Sequence, residues 1–360
     1  MRMRKVLLDL RMVKGPMHGI ARYALELARR LPPLAPDLRF FGLTGPGGLP
    51  TGLGALRPSI PLETCAAEFL SPFEQPALAL ALVRSGPDLF HATSFSLPGV
   101  WPGRLVATLH DANHLAMKSL YGPGRVAYYR LIVTPRARLA KALITVSEFS
   151  RDELARHLFL SPYRLQVIPN GVADTFTRPP ESELAEFQRR RGLPSRYLAA
   201  VGSVKAHKNV AVLAKVAGEL PAPIALLAGR GAARRFGFPA STVDLGELPE
   251  EDLPRFYGGA AALLFPSRYE GFGFPAIEAM ACGCPVIAAR AGALPEVVRE
   301  AGLLVDPDDV TGWREAALRV LRDDALRRDL AERGRERASL FTWDDCARRT
   351  LAVYRRVLPG

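Results

Sequence analysis

Cysteine is scarce in this chain, with four residues, Cys65, Cys282, Cys284 and Cys346, among 360. Only the middle pair is close, and a C-x-C spacing without a second pair does not complete a zinc site; four scattered thiols make no disulfide framework either. Long apolar runs are missing as well. The opening MRMRKVLLDL is basic and then apolar like a signal peptide, but the run stops at Asp9, so it is expected to form a first buried strand. No stretch approaches the roughly 18 apolar residues that a membrane span needs. A cytoplasmic location is the expectation that follows. No tract is dominated by a few residue types and no solenoid-length repeat occurs, which leaves an ordinary globular chain.

Acidic residues are in deficit: 36 Asp and Glu face 48 Lys and Arg, for a net charge of +12. The excess is uneven, since residues 1–172 hold 21 basic and 11 acidic residues and so carry +10 of it. A field of that sign attracts anionic lipid, phosphorylated carriers or nucleic acid, unless the chain is simply rich in arginine. No DNA- or RNA-binding motif accompanies the charge, and the second half is nearly balanced, so no nucleic-acid partner is expected.

What the chain does contain is alternation. Short apolar runs (KVLLDL, RLVATL, ITV) are interleaved with amphipathic stretches (GIARYALELARRL, RVAYYRLIVTPRARLAKAL), the pattern of a parallel sheet covered by helices. The pattern pauses at VIPNGVADTFTRPPESELAEF, where Pro169, Asn170 and Gly171 supply turn chemistry and Pro179 and Pro180 stop a helix. It resumes with YLAAVGS, PIALLAG, AALLFPS, PVIAA and AGLLV, and becomes helical after Val305. The expected fold is α/β, with two Rossmann-like doubly wound domains. The first covers 1–173, the second 178–340, and a last helix 341–360. Such domains, facing each other, bind ligands in a cleft at the carboxyl ends of their strands.

The segment AALLFPSRYEGFGFPAIEAMACGCPVIAARAGALPEV is the most informative. A strand ends near Phe265, a Gly-rich loop follows, and Pro275 suits the first turn of a helix. Glu270 falls in the loop and Glu278 one turn into the helix; the amides of Phe272, Gly273 and Phe274 lie beside the positive end of the helix dipole. Two carboxylates for hydroxyls and an amide cluster for phosphates suit a sugar nucleotide. In AVGSVKAHKN, Ser203, Lys205, His207 and Lys208 follow a strand that ends at Val201, where cations can neutralise a leaving diphosphate, and a helix is expected from about Asn209. His110 and Asp111 follow the strand RLVATL, and Gly19 stands between the first strand and its helix. Ser150 and Glu153 read as a capping box, and His91 and His114 as packed residues.

Several segments in order, VATLHDANHL, ITVSEFSRDEL, VIPNGVADTF, AVGSVKAHKN, LGELPEEDLPRFYGGAAALLFPS and AGLLVDPDD, together with the E-x7-E region of Glu270 and Glu278, resemble glycosyltransferase family 4 over essentially the whole chain. The likeness is to its bacterial mannosyltransferase-like and polysaccharide-assembly members. It implies a GT-B fold and a retaining, metal-independent hexosyl transfer from a nucleotide diphosphate sugar, GDP-mannose or a UDP-hexose, to a glycan or lipid-linked acceptor. It also implies roles: Glu270 and the amides of Phe272, Gly273 and Phe274 on the donor sugar, Glu278 on the ribose, and Lys208 on the diphosphate. Lys205 and Arg268 stand as substitutes for arginines that the family carries where this chain has Ser203 and His207. His110 is expected at the donor sugar or reaction centre and Gly19 near the phosphates, and the last helix, WDDCARRTLAVYRRVL, resembles the family's final helix, which implies that 341–360 crosses back to the first domain. The two departures keep a catalytically silent sugar-nucleotide or glycan scaffold as the rival reading. Lastly, Lys118, Arg125, Arg130, Arg136, Arg138 and Lys141, mixed with Tyr121, Tyr128 and Tyr129, form a basic and aromatic stretch suited to peripheral contact with an anionic membrane at its inner face, with Pro135 expected to interrupt the helix.

Overall fold

The computed structural model describes residues 2–15, 17–117 and 120–358. The chain divides into two compact units, Met1–Gly171 with Trp343–Gly360, and Val172–Thr342.

The described residues of the first unit form seven parallel strands: β1 (Arg4–Asp9), β2 (Leu38–Thr44), β3 (Leu62–Thr64), β4 (Leu89–Ala92), β5 (Arg104–Thr108), β6 (Ala142–Thr145) and β7 (Leu165–Val167). Their order is β3-β2-β1-β4-β5-β6-β7, with Val6 level with Phe40 on one side and Leu89 on the other. The central strands are apolar without alternation because helices cover both faces; all four residues of β4 are buried. Leu7, Phe90, Ala107 and Leu143 of the sheet pack with Leu78 and Leu82 of the helix Glu74–Ser85 and with Val133 and Ala137. Fully burying each large apolar side chain contributes about 1.5–3 kcal/mol before the entropy of ordering is set against it.

The helix Trp343–Val357 belongs to this unit and runs beside the first helix, Gly19–Leu34. It is fastened by Arg30 Nε to Asp344 at 2.7 Å and by Arg349, which donates to the Val167 carbonyl at 2.6 Å. Trp343 and Tyr354 carry its buried face.

Two local expectations change here. The helix Glu148–Leu158 begins earlier than a cap at Ser150 allows: Ser147, with extended backbone, accepts from the Ser150 amide at 3.0 Å and is the true cap. Ser150 lies inside the helix, and Glu153 pairs with Arg156. Pro135 does not interrupt its helix, because a wide π turn over Tyr129–Val133 joins Pro123–Tyr128 to Thr134–Leu139. A proline ring would meet the carbonyl four residues back, and a widened turn is where a continuing helix accommodates it.

The second unit holds six parallel strands: β8 (Leu198–Val201), β9 (Ile224–Leu227), β10 (Val243–Asp244), β11 (Ala262–Phe265), β12 (Val286–Ala289) and β13 (Leu303–Val305). The order β10-β9-β8-β11-β12-β13 places the reversal of winding between β8 and β11. The chain leaves β8 toward one edge and returns through β11 toward the other, so their two following loops flank a crevice. Among the described residues no helix is long and apolar enough to cross a membrane.

Candidate functional site

The loops after β8 and β11 meet at that reversal. Lys208 Nζ donates to Glu270 Oε1 at 2.7 Å, joining the two loops by an ion pair whose side chains are 25% and 13% exposed. Such a pair is sheltered enough to be ordered and open enough to meet a ligand. Helix formation after β8 is later than expected: a 3-10 turn covers Ala206–Lys208, Asn209 adopts the left-handed region at φ 52°, and the helix begins at Ala211. That reversal turns Lys208 toward the β11 loop. Asn209 in turn donates to the Pro307 carbonyl at 2.8 Å, and the Arg268 amide donates to the His207 carbonyl at 2.8 Å, so three loops are bound together.

Two glycines make the close approach possible. Gly273 stands at φ 103°, where a side chain would be strained and a Cβ would lie 2.7 Å from Leu294. Gly292, which the sequence reading did not single out, lies so close to Glu270 that a Cβ would come 2.7 Å from its amide nitrogen. The signal for it was a glycine just ahead of a new helix in RAGALPEV. Ala293 donates to the Glu270 carbonyl at 3.0 Å, so the loop of Glu270 is held by its backbone from the far side.

The helix Phe274–Ala281 starts at Gly273 and carries Pro275 in its first turn. Glu278 is buried on it, with the Tyr257 hydroxyl 3.4 Å from its carboxylate. Phe272 is buried edge-on to Phe274 and Phe341, which leaves its amide rather than its ring to serve a ligand. Ser203 Oγ accepts weakly from the Lys205 amide at 3.4 Å and Lys205 is exposed, so both stay in the β8 loop. Arg268 is drawn elsewhere: its guanidinium forks onto Asp308, at 2.6 Å for one nitrogen, and reaches Asn209. His207 is buried beside Lys208, and desolvation with that neighbouring charge holds its pKa below the ordinary value. Among the described residues no three His, Cys, Asp or Glu side chains converge as metal ligands.

The remaining expected residues lie in the first unit. Gly19 opens the first helix behind His18, whose ring nitrogen accepts from the Ala21 amide at 3.3 Å. His110 follows β5, and its Nε2 sits 2.9 Å from the Thr93 carbonyl. A carbonyl only accepts, so Nε2 carries the proton and Nδ1 is left as an acceptor. Burial lowers the His110 pKa to about 4, which keeps the ring neutral at pH 7, and Tyr23 packs edge-on to it at 4.9 Å. Beneath it, Thr108 Oγ1 lies 2.8 Å from both the Tyr23 hydroxyl and His91 Nε2. His114 is 3.2 Å from the Tyr129 hydroxyl. A buried group at the end of β1 had no counterpart in the sequence reading: Arg11, fully enclosed, pairs with Asp9 at 2.7 Å and Glu74 at 2.9 Å. Its only local trace is an acid and an arginine two apart at a strand end.

Family models match both units: "Glycosyltransferase Family 4" over residues 17–176 and "Glycosyl transferases group 1" over residues 182–337. The O-antigen chain mannosyltransferase B of Escherichia coli is 31% identical over 98% of this chain and 99% of its own length. Two solved structures share the fold over nearly their whole length. HepE from Anabaena, in complex with UDP and glucose, has a TM-score of 0.79 at 19% identity, covering 98% of this chain and 100% of that one. Sucrose-phosphate synthase from Thermosynechococcus elongatus has a TM-score of 0.77 at 21% identity, with 98% of each chain covered. With two parallel-sheet α/β units, a pair of loops meeting at a winding reversal, and this match along its whole length, the chain belongs to the group 1, family 4 glycosyltransferases of GT-B fold.

Proposed function

We propose that this glycosyltransferase moves a mannose- or glucose-type hexosyl group from a nucleoside diphosphate sugar to a glycan or lipid-linked acceptor, with retention of configuration and without a metal. The observation that carries the reading is the ion pair of Lys208 with Glu270 across the loops of β8 and β11. When a donor binds, the ammonium group neutralises the departing diphosphate, and the carboxylate is freed to accept from sugar hydroxyls. The amides of Phe272, Gly273 and Phe274 hold the sugar and phosphate oxygens, Glu278 accepts from the ribose hydroxyls, and Ser203 and Lys205 complete the phosphate surroundings. Gly19 contributes to phosphate binding, and His110, neutral with Nδ1 as acceptor, takes a hydroxyl of the donor sugar.

GDP-mannose is the first candidate donor, supported by the whole-chain likeness to a mannosyltransferase, and a UDP-hexose is the second. Melting curves with GDP, UDP and ADP, followed by NMR of the transferred anomer, test the proposal. A ligand at a hundred times its Kd stabilises by about 2.7 kcal/mol, a readily measured rise in Tm. No stabilisation by any nucleoside diphosphate, together with no donor consumed, overturns the assignment.

We also propose that the first unit works as a peripheral protein at the inner face of an anionic membrane. Support comes from Leu131 and Leu139, 73% and 69% exposed beside Arg130 and Arg138, and from a cavity of about 720 Å3 shared by Leu120, Tyr121, Val126 and Arg130. Lys118 of this stretch lies outside the described residues. Sedimentation with anionic vesicles that weakens with added salt is the expected result, and absence of binding refutes it.

A further inference from the structure

A charged cavity lies at the amino ends of the second unit's strands β8, β11 and β12. It measures about 470 Å3 and is lined by Arg178, Arg196, Arg327, Arg328 and Arg335, with Asp324 as its acid. Its floor is made of residues that lead into strands: Arg196 precedes β8, Ala261 immediately precedes β11, and Pro285 immediately precedes β12. Lys208 and Glu270 follow the other ends of β8 and β11. The four residues of β11 span roughly 13 Å of sheet, so the two groups of charges are separated by the body of the core.

The charges do not balance. Five guanidinium groups stand against Asp324 in the lining and Glu181, which pairs with Arg178 beside it, leaving three positive charges around a small space. Arg327 pairs with Asp324, and Arg196 lies 3.7 Å from the same carboxylate while donating to the Leu321 carbonyl. Arg178 is fixed to the Gly258 carbonyl and to Glu181. Arg328 and Arg335 form no ion pair among the described residues. They stand two turns apart on the helix Asp324–Ser339, with Ala331 between them, so one face of that helix presents both to the cavity.

The backbone is shaped to admit one of them. Gly283 has φ 68°, and a Cβ there would come 2.8 Å from a guanidinium nitrogen of Arg335. The loop holding Gly283 joins the helix of Glu278 to β12 and follows the end of that helix opposite to the loop of Glu270.

We infer that this cavity is a binding site for a small anion bearing two or more phosphate groups, separate from the site of Lys208 and Glu270. Planar guanidinium forks match phosphate oxygens in pairs, and their weak hydration suits a partly enclosed site. Near neutral pH one phosphate group carries at most two negative charges, so two or more are needed to offset three positive ones. Such groups reach the cavity either on a soluble polyphosphate or on the headgroups of an anionic lipid.

Calorimetry with the full chain distinguishes the cases, using inorganic tripolyphosphate as the soluble probe and phosphatidylglycerol vesicles as the lipid probe. For a soluble ligand, Arg328→Gln/Arg335→Gln weakens tripolyphosphate binding at least tenfold and leaves GDP and UDP affinity as in the parent chain. Asp324→Asn releases Arg196 and Arg327 from their shared acid and tightens tripolyphosphate binding severalfold. For a headgroup, the double variant binds vesicles at least tenfold more weakly than the parent, the first unit's own contact with the vesicle being kept, while neither variant changes the tripolyphosphate titration. If the double variant takes up both probes as the parent does, or the parent takes up neither, the site does not exist.

Discussion

The hydroxyl of Tyr354 lies 2.5 Å from Nδ1 of His91, although 263 residues separate them in the chain. The other ring nitrogen of His91 meets Thr108, two residues before His110, so the helix Trp343–Val357 is joined by side-chain hydrogen bonds to the strand that leads to a candidate site residue. Replacing Tyr354 by Phe leaves His91 Nδ1 buried without its partner. The expected cost is about 1–3 kcal/mol, read from chemical denaturation followed by a probe in the first unit.

His91 also makes acid sensitivity predictable. Its ring is fully buried, and desolvation lowers its pKa from 6.5 to about 3. Between those values the unfolded chain binds a proton that the folded chain refuses, so stability is complete above about pH 6.5 and falls as the pH is lowered toward 3. The slope for this one group is about 1.4 kcal/mol per pH unit. Urea midpoints from pH 7 to 5 show the decline, and His91→Gln flattens it relative to the parent.

Lys208→Ala removes the ammonium group proposed to meet the diphosphate. The expected loss in kcat is roughly 100- to 1,000-fold, with Lys208→Arg keeping part of the rate. Stability changes by less than about 1 kcal/mol, because the pair with Glu270 is partly solvated. Steady-state kinetics beside a melting curve separates the two effects.

Glu278→Ala is expected to weaken nucleoside diphosphate binding roughly 10- to 100-fold, the worth of a hydrogen bond to a charged group. Calorimetry with GDP and UDP measures it. Equal affinity in variant and parent removes Glu278 from the proposed ribose contact.

Gly273→Ala tests the loop rather than a functional group. A φ of 103° and a Cβ 2.7 Å from Leu294 together cost about 1–3 kcal/mol or displace the loop. A fall in Tm accompanied by loss of nucleotide binding is the expected outcome.

Much of the architecture was legible because parallel sheets write themselves plainly: KVLLDL, RLVATL and AALLF are continuous apolar runs, and each ends where a polar loop begins. That rule also singled out Lys208 and Glu270 one at a time, each just past a strand. Their meeting at 2.7 Å was not legible, since it depends on β8 and β11 being neighbours, a consequence of strand order and not of spacing. Capping at Ser147 instead of Ser150 turned on one residue's extended backbone, and the passage of Pro135 through a helix turned on a π turn upstream. Neither has a compositional signature. The enclosure of Arg11 by Asp9 and Glu74, and the gathering of Arg178, Arg196 and Arg335, are products of tertiary contact between distant segments.

The return of Trp343–Val357 to the first sheet has a bearing on synthesis. Residues 172–342 form a compact unit from one uninterrupted stretch, whereas the unit that begins the chain needs a piece translated after all of them. Ordinary vectorial folding is thereby inverted: the later half is able to finish while the earlier half waits, its first helix still bare along one side, for a segment that leaves the ribosome some 170 residues afterwards.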